Sequence, residues 1–182
     1  MDILRVCKEL GASNAVQVPT EKLVFQPETR VLCEQNTCGR FGANYTCPPF
    51  VGEVEGLIAK TKEFNAAVIW QNIYKLEDSY DFDGMMAGQM KHNNMTMEVA
   101  QKACLKHGRD NVLILSAGGC TICKECAAMR QTPCLYPDDA LSSLEAYGMN
   151  VIESCLAIGM KYINGVNTVT YFSGAFFNSD LF

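Results

Sequence analysis

Four cysteines in the second half of the chain have the spacing of metal ligands. Two residues separate Cys120 from Cys123 and Cys123 from Cys126, and Cys134 follows further along. Gaps of this length allow three thiolates from one tight loop to reach adjacent corners of an iron–sulfur cubane, and a fourth thiolate completes it. Zinc sites more commonly pair two C-x2-C units across a longer insertion. The spacing therefore favours a 4Fe–4S cluster, with zinc and metal-free thiols as the alternatives.

A second set of three cysteines lies in the first half of the chain. Cys33, Cys38 and Cys47 are more widely spaced, and Pro48 and Pro49 stiffen the backbone after the last of them. If these thiolates bind a cubane, its fourth iron takes a ligand from elsewhere in the chain, a water, a substrate or a cysteine shared between the two sets. An iron with such an open position acts as a Lewis acid, which points to catalysis. The alternative is a zinc site or a redox-inert structural clip.

The other three cysteines fit a buried core better than a metal site. Cys7, Cys104 and Cys155 all lie within predicted helices among apolar neighbours, and free cysteine is one of the most frequently buried residue types. The first residues of the chain lack the basic leader and apolar core of a secretory signal. We therefore expect reduced thiols and a cytoplasmic protein.

A few polar residues near the two sets are candidates for supporting roles. His92 lies in a polar stretch ahead of a predicted helix, where it can supply a fourth ligand or a proton, or simply face solvent. Arg30 and Arg40 flank the first set, and their guanidinium groups either offset the negative charge of a thiolate-bound cluster or are solvated.

Composition excludes several classes of protein. The 182 residues are 48% hydrophobic and 19% charged, with a net charge of -5, so the chain is expected to fold as a single metal-binding domain over residues 1–182. Lysine and arginine are scattered, which argues against nucleic-acid binding. The uncharged apolar stretches are too short to span a membrane. No pattern in the sequence sets an oligomeric state.

Helices and strands are predicted to alternate. The helical segments are 3–10, 53–62, 95–107 and two short helices that start near Ser142 and Asn150, and the strands are 15–18, 66–74, 111–116 and 166–172. Residues 31–52 show neither the helical nor the strand periodicity of apolar residues, and they are predicted to form a loop. The expected fold is α/β, a layered single domain with a mixed sheet and two cysteine-rich metal-binding loops.

Two motif blocks in this order resemble a known family. The first block is Arg30-x2-Cys33-x4-Cys38-Gly39-x-Phe41-Gly42-x-Asn44-x2-Cys47-Pro48-Pro49, and the second is Gly118-Gly119-Cys120-x2-Cys123-x2-Cys126 with the later Pro133-Cys134-x2-Pro137-x4-Ser142-x2-Glu145-Ala146-x-Gly148. The chain resembles, from about residue 30 to 151, the predicted metal-binding proteins described as domain of unknown function 2284. The resemblance implies that Cys33, Cys38, Cys47, Cys120, Cys123, Cys126 and Cys134 are metal ligands. It also implies a cytosolic protein of a kind frequent in anaerobes, and it carries no established activity.

The residues point first to redox chemistry. The leading hypothesis is an iron–sulfur protein that carries electrons, alone or as the electron-delivery part of a reductase, with one 4Fe–4S cluster or two and a redox partner protein. A second hypothesis is an enzyme whose open iron at the three-cysteine site polarises a small substrate. A third is a zinc-stabilised interaction module without chemistry of its own.

Overall fold

A four-stranded sheet with helices on both faces forms the framework of the protein. The computed structural model describes residues 2–179. Its helices are α1 (Ile3–Glu9), α2 (Val31–Glu34), α3 (Val54–Lys62), α4 (Phe82–His107) and α5 (Val151–Ala157), and its strands are β1 (Asn14–Pro19), β2 (Ala66–Lys75), β3 (Val112–Leu115) and β4 (Thr168–Phe177). The α/β layered fold expected from the sequence is confirmed.

All named strands in the sheet pair antiparallel, so the mixed sheet expected from the sequence is wrong in this respect. Their order is β1-β2-β4-β3, so the two longest strands, β2 and β4, occupy the centre. Trp70 of β2 lies opposite Ser173 of β4, and Leu115 at the end of β3 lies opposite Gly174. The sheet is parallel only at an isolated bridge between Ser116 and Ser143, just beyond β3. That bridge joins the chain ahead of the second cysteine set to the chain after it.

Two apolar cores lie on opposite faces of the sheet. Side chains alternate along a strand, so Val68 and Trp70 of β2 face one core while Ala67 and Ile69 face the other. Helices α1 and α4 cover the first core, and α5 covers the second. Strand β2 is therefore buried on both faces, as its continuous apolar sequence predicts.

The predicted starts of α1 and α5, which depend on a capping side chain next to the helix, are right. Two other predicted helices differ from the structure. Asp2 and Asn150 cap α1 and α5 as expected, since their side chains accept the N–H groups of Arg5 and Glu153. The helix predicted over 95–107 begins at Phe82 instead, because the Asp81 side chain accepts the Gly84 N–H and starts the helix there. The helix predicted from Ser142 is a single 3₁₀ turn over Glu145–Tyr147, which has no side-chain cap.

His92 is neither a metal ligand nor a solvent-exposed residue. Because α4 starts early, His92 lies in its middle and is fully buried against the sheet. Its Nδ1 lies 2.7 Å from Asn72 Oδ1 and its Nε2 lies 2.7 Å from Ser173 Oγ, so both ring nitrogens are occupied. Burial lowers the pKa of His92 to about 4, a shift that a hydrogen bond with the Phe172 backbone opposes. The imidazole is therefore neutral at physiological pH.

The three cysteines outside the motifs are packed into the cores as predicted. Cys7 belongs to the first core and Cys155 to the second, and the partly buried Cys104 packs against the first. All ten cysteines are free thiols. No helix within residues 2–179 has the length and apolar character that crossing a bilayer requires.

Candidate metal centre

The four-cysteine loop leaves the sheet at the end of β3. Beyond Leu115, the backbone of Ser116 is held on both sides, because its N–H donates to Ser142 O at 2.8 Å and its carbonyl accepts the Leu144 N–H at 3.3 Å. Gly118 then adopts a positive φ of 75°, which turns the chain into the loop. The buried core strand thus fixes where the loop begins.

The structure brings the four cysteines of this loop around one narrow void. Cys120, Cys123, Cys126 and Cys134 are all partly buried and line a space of about 20 Å³. Burial raises the pKa of the Cys120 thiol, the Ile122 backbone N–H lowers it, and the other three thiols raise it further. The other three sulfur atoms therefore lie close enough to Cys120 to disfavour its thiolate, an effect that a bound cationic centre would offset.

The three-cysteine set lies on the wall of an open cleft next to this loop. Cys33 is on α2, Cys38 follows in an exposed turn, and Cys47 is buried. All three line a cleft of about 370 Å³ whose other walls include Gln89 of α4 and Tyr171 of β4. The two sets therefore differ in the space beside them, since the void at the four-cysteine loop has room for little more than a water molecule and the cleft can hold a small molecule.

Local hydrogen bonds shape the loop that carries the three cysteines. The Asn36 side chain accepts the Phe41 N–H at 2.9 Å, and the Gly42 N–H donates to Pro48 O at 2.8 Å. Asn36, Gly39 and Gly42 all have positive φ angles of 52° to 69°. These turns bring Cys38 and Cys47 back toward α2, where Cys33 lies.

The two cysteine loops are joined around the peptide groups of Cys120. Its N–H donates to Thr46 Oγ1 at 2.9 Å. Its carbonyl accepts two hydrogen bonds, from Asn44 Nδ2 at 2.8 Å and from Arg40 Nη1 at 3.0 Å. The Tyr45 hydroxyl adds a further bond to Thr132 O at 2.8 Å. We call this set of contacts the Cys120 clasp, and it makes the two loops one structural unit.

Gly119 lies directly beside Cys47 of the other cysteine set. A methyl group placed on Gly119 would lie 2.6 Å from Cys47 Sγ and 3.1 Å from Arg40 Cδ. Any side chain at this position therefore displaces the Cys47 thiol. The sequence motif Gly118-Gly119 therefore leaves space for the Cys47 thiol of the other loop.

Two thiols of the three-cysteine set, those of Cys33 and Cys47, are protonated in the metal-free protein at neutral pH. Burial raises the pKa of Cys33 to about 11, and the charge of Glu145 raises it further, while Arg30 lowers it. Burial also raises the pKa of Cys47, which a hydrogen bond with Thr46 and the charge of Arg40 lower. Metal binding at these residues must therefore release protons.

Both flanking arginines lie beside the cysteines, but they make different contacts. Arg30 is buried, and its guanidinium donates to Ala146 O at 2.9 Å and to Gly52 O at 3.0 Å. Arg40 is partly buried, belongs to the Cys120 clasp and lines the cleft. The solvated-surface alternative is therefore wrong for Arg30, which places a positive charge near Cys33 inside the protein.

Glu145 is a site residue that reasoning from the sequence missed. Its spacing from Ser142 suggested a helix-capping role, but its side chain lines the cleft with the three cysteines. Burial raises the pKa of the Glu145 carboxyl, and hydrogen bonds from its own N–H and from Ser143 lower it. The family resemblance contained the one usable signal, since Glu145 belongs to its second motif block.

Neither set is gathered tightly enough for a single ion. Within residues 2–179, no three Cys, His, Asp or Glu side chains meet closely enough to hold one metal ion. A tetrahedral zinc with Zn–S bonds of about 2.3 Å needs thiolates in near contact. A cubane distributes its thiolates over different irons, and the all-cysteine donor set around one void suits that group.

Comparison with known proteins gives a family but no characterised relative. The profile of the predicted metal-binding proteins described as domain of unknown function 2284 matches residues 16–177. No curated protein and no solved structure gives a significant match. The chain therefore belongs to this family of predicted metal-binding proteins, as its two motif blocks indicated.

Proposed function

We propose that this protein is a cytoplasmic iron–sulfur redox protein with two centres of different access. Cys120, Cys123, Cys126 and Cys134 hold a closed 4Fe–4S cluster, and Cys33, Cys38 and Cys47 hold a second iron centre that faces the cleft. The observation that carries the proposal is the division of the seven motif cysteines between a small void and a much larger cleft, on loops joined at Cys120. When bound, a closed cluster passes single electrons and an open iron binds a small ligand as a Lewis acid.

The arrangement suits a reductase component better than a simple carrier. A carrier needs one exposed cluster, whereas here the second cysteine set lines a cleft large enough for a small substrate. Arg40 donates to the Cys120 carbonyl and also lines that cleft, so it links the two centres through protein. We therefore propose that electrons enter at the four-cysteine centre and are used at the three-cysteine centre.

A redox partner protein is expected to approach the four-cysteine loop. Exposed apolar side chains surround this loop, notably Ile122, Met129 and Leu135, with 43%, 57% and 66% of their surface accessible. Such side chains suit a transient contact with an electron donor. Ten free thiols support a reducing compartment, and the oxygen sensitivity of exposed clusters supports an anaerobic host.

Metal analysis of anaerobically purified protein tests the proposal. We expect a brown protein with absorbance near 400 nm from thiolate-to-iron charge transfer, and iron and sulfide in amounts that require both centres. Cys123→Ser should remove one centre and Cys38→Ser the other, each seen as loss of a distinct EPR signal. Cys104→Ser, at a partly buried cysteine outside both sets, is the matched control and should lose neither.

Three outcomes would contradict the proposal or a part of it. A colourless protein that contains only zinc would favour the zinc-stabilised interaction module. Loss of both EPR signals in Cys38→Ser, with the control intact, would show a single shared centre. If cyanide leaves the spectrum unchanged, no iron has an open coordination position, and only the electron-carrier hypothesis remains.

A further inference from the structure

Arg40 is the one cation on the wall of the cleft, within the part of the chain that the structure describes. Its Nη1 donates to Cys120 O at 3.0 Å, and its Cδ lies 3.1 Å from the position that a methyl group on Gly119 would take. No salt bridge among residues 2–179 includes Arg40. A partly buried guanidinium that is held in place without a counter-ion favours an anion, and its planar fork of N–H groups suits a carboxylate.

The carboxylate on the cleft wall does not neutralise Arg40. Glu145 is the only acidic side chain that lines the cleft among the described residues, and it forms no ion pair with Arg40. The two side chains come from segments about a hundred residues apart in the sequence. The positive charge of Arg40 is therefore available to a ligand that enters the cleft.

Aromatic rings form another part of the cleft wall. The Tyr171 ring is held in place because its hydroxyl donates to Met85 O at 2.7 Å. The Tyr162 ring stacks on Phe172, with ring centroids 5.6 Å apart and planes only 5° from parallel. Phe41, next to Arg40 in the chain, lies at the exposed rim. Fixed rings of this kind favour a flat, apolar ligand, which can pack against their faces and edges.

We propose that the cleft binds a small aromatic or conjugated carboxylate, with its anionic group on Arg40 and its flat body against the rings of Tyr162 and Tyr171. As the substrate class of a reductase this inference rests on the proposed function, whereas the binding itself depends on these side chains and not on iron. The volume of about 370 Å³ is within the range of small-molecule sites.

Three probes of similar size test this ligand class on the wild-type protein, purified anaerobically. Benzoate has both features, benzamide keeps the ring without the charge, and cyclohexanecarboxylate keeps the charge without the flat ring. Isothermal titration calorimetry measures each affinity. Benzoate should bind about tenfold more tightly than benzamide, because a hydrogen bond between two charged groups is stronger than one to a neutral amide. It should also bind several-fold more tightly than cyclohexanecarboxylate.

Two results with these probes would overturn the proposal. The first is no binding of benzoate at millimolar concentration, or an affinity no higher than that of benzamide. The second is an equal affinity for benzoate and cyclohexanecarboxylate, which would show that the rings do not select a flat ligand.

Variants of the full chain assign each preference to a side chain. Arg40→Gln should lose the preference for benzoate over benzamide. Tyr162→Leu should lose the preference for benzoate over cyclohexanecarboxylate, and Tyr162→Phe, which keeps the ring, should retain it. Arg5→Gln is the matched control, because Arg5 is an exposed arginine of α1 that pairs with Glu9, and it should match the wild type. Unchanged preferences in Arg40→Gln and Tyr162→Leu would overturn the assignment.

Thr46→Val separates the charge of Arg40 from its part in the Cys120 clasp. This variant breaks a different bond of the clasp, between Thr46 Oγ1 and the Cys120 N–H, and keeps the guanidinium. It should retain the preference for benzoate over benzamide that Arg40→Gln loses. Equal loss in both variants would show that the preference depends on the shape of the loops, and it would overturn the role given to Arg40.

Failure of this inference is distinguishable from failure of the proposed function. Cys38→Ser should keep the preference for benzoate, because the cation and the rings remain when the iron of the three-cysteine centre is lost. Loss of benzoate binding in Cys38→Ser would overturn the inference, since the iron would then hold the anion. A wild-type chain that carries no iron at the three cysteines, yet prefers benzoate through Arg40, would overturn the proposed function alone.

Discussion

Gly119 shows how a residue without a side chain determines a site. It precedes the first cysteine of one loop, and the Cys47 thiol of the other loop occupies the space beside it. In the sequence, Gly119 belongs to the Gly118-Gly119 motif, which is expected to form the turn at the start of its own loop. In the folded protein, Gly118 makes the turn with its positive φ and Gly119 makes room for Cys47.

Gly119→Ala is expected to impair the three-cysteine centre. The added methyl would lie 2.6 Å from Cys47 Sγ, so the thiol must move away from its position on the cleft wall. We expect loss of that centre's iron and a decrease of about 1–3 kcal/mol in the free energy of unfolding. Iron analysis and urea denaturation measure the two effects.

Gly56→Ala is the matched control for this substitution. Gly56 lies within α3, and a methyl there meets nothing within 4 Å. The control should keep all its iron and gain about 0.5–1 kcal/mol of stability from the better helix former. Full iron in Gly119→Ala would show that Cys47 does not need its present position.

At the level of elements, the two cysteine loops stabilise each other. Neither has regular structure over most of its length, and each takes its shape partly from the Cys120 clasp. Asn44 uses its carbonyl oxygen to accept from Thr46 within its own loop and its amide to donate to Cys120 in the other. A substitution in one loop should therefore affect the metal centre of the other loop.

Thr46→Val tests this coupling. Valine keeps the shape of the side chain but cannot accept the Cys120 N–H, which now bonds to Thr46 Oγ1 at 2.9 Å. We expect a loss of about 1–3 kcal/mol in the free energy of unfolding, because the N–H is left unsatisfied. We also expect faster release of iron from the four-cysteine centre to a chelator, although the substitution is in the other loop.

The control for this experiment is Thr61→Val in α3. Thr61 is equally buried, but its hydroxyl donates only to Leu57 O in the same helix. Its iron release should match that of the wild type. Equal release rates in Thr46→Val and the wild type would mean that the clasp does not support the four-cysteine centre.

For the whole molecule, the sheet provides a rigid platform from which both loops extend. Helix α4 packs on one face of the sheet, and His92 joins three elements by contacting Asn72 of β2 and Ser173 of β4. Thr96 of α4 completes the network through Ser173 at 3.0 Å. The network sits behind Tyr171, which lines the cleft, with ring centroids of His92 and Tyr171 6.0 Å apart.

His92 should make the protein sensitive to mild acid. Burial lowers the pKa of His92 to about 4 in the folded protein, whereas an unperturbed histidine has a pKa of 6.5. Between these values the unfolded chain binds more protons than the folded one, so the free energy of unfolding falls as the pH drops through this window. The full effect of this one residue is about 3 kcal/mol.

Urea denaturation between pH 7 and pH 4 measures this dependence. His92→Gln should be less stable at pH 7 but should lose less stability on acidification than the wild type. Release of metal by acid affects both proteins, so the difference between their slopes isolates His92. Equal slopes in His92→Gln and the wild type would contradict the assignment.

Prediction from the sequence succeeded where the deciding interactions are local. Asp2 and Asn150 cap helices through the third residue after each, and the apolar run of β2 is buried as its composition indicates. It failed at α4. The segment around Lys91 and Asn94 is polar and was not predicted to be helical, but packing against the sheet stabilises it as part of the helix. Propensity is a weak prior in such segments and packing overrides it.

The sequence by itself determined which cysteines belong together and which belong to the core. Ligands a few residues apart share one loop whatever the rest of the chain does, and apolar neighbours bury Cys7 and Cys155. Only the tertiary structure decided that Cys47 lies against Gly119, that Thr46 accepts from Cys120, and that Glu145 faces the three-cysteine set. These contacts join segments more than 70 residues apart, and no local pattern encodes them, because chain reversal through the sheet brings the segments together.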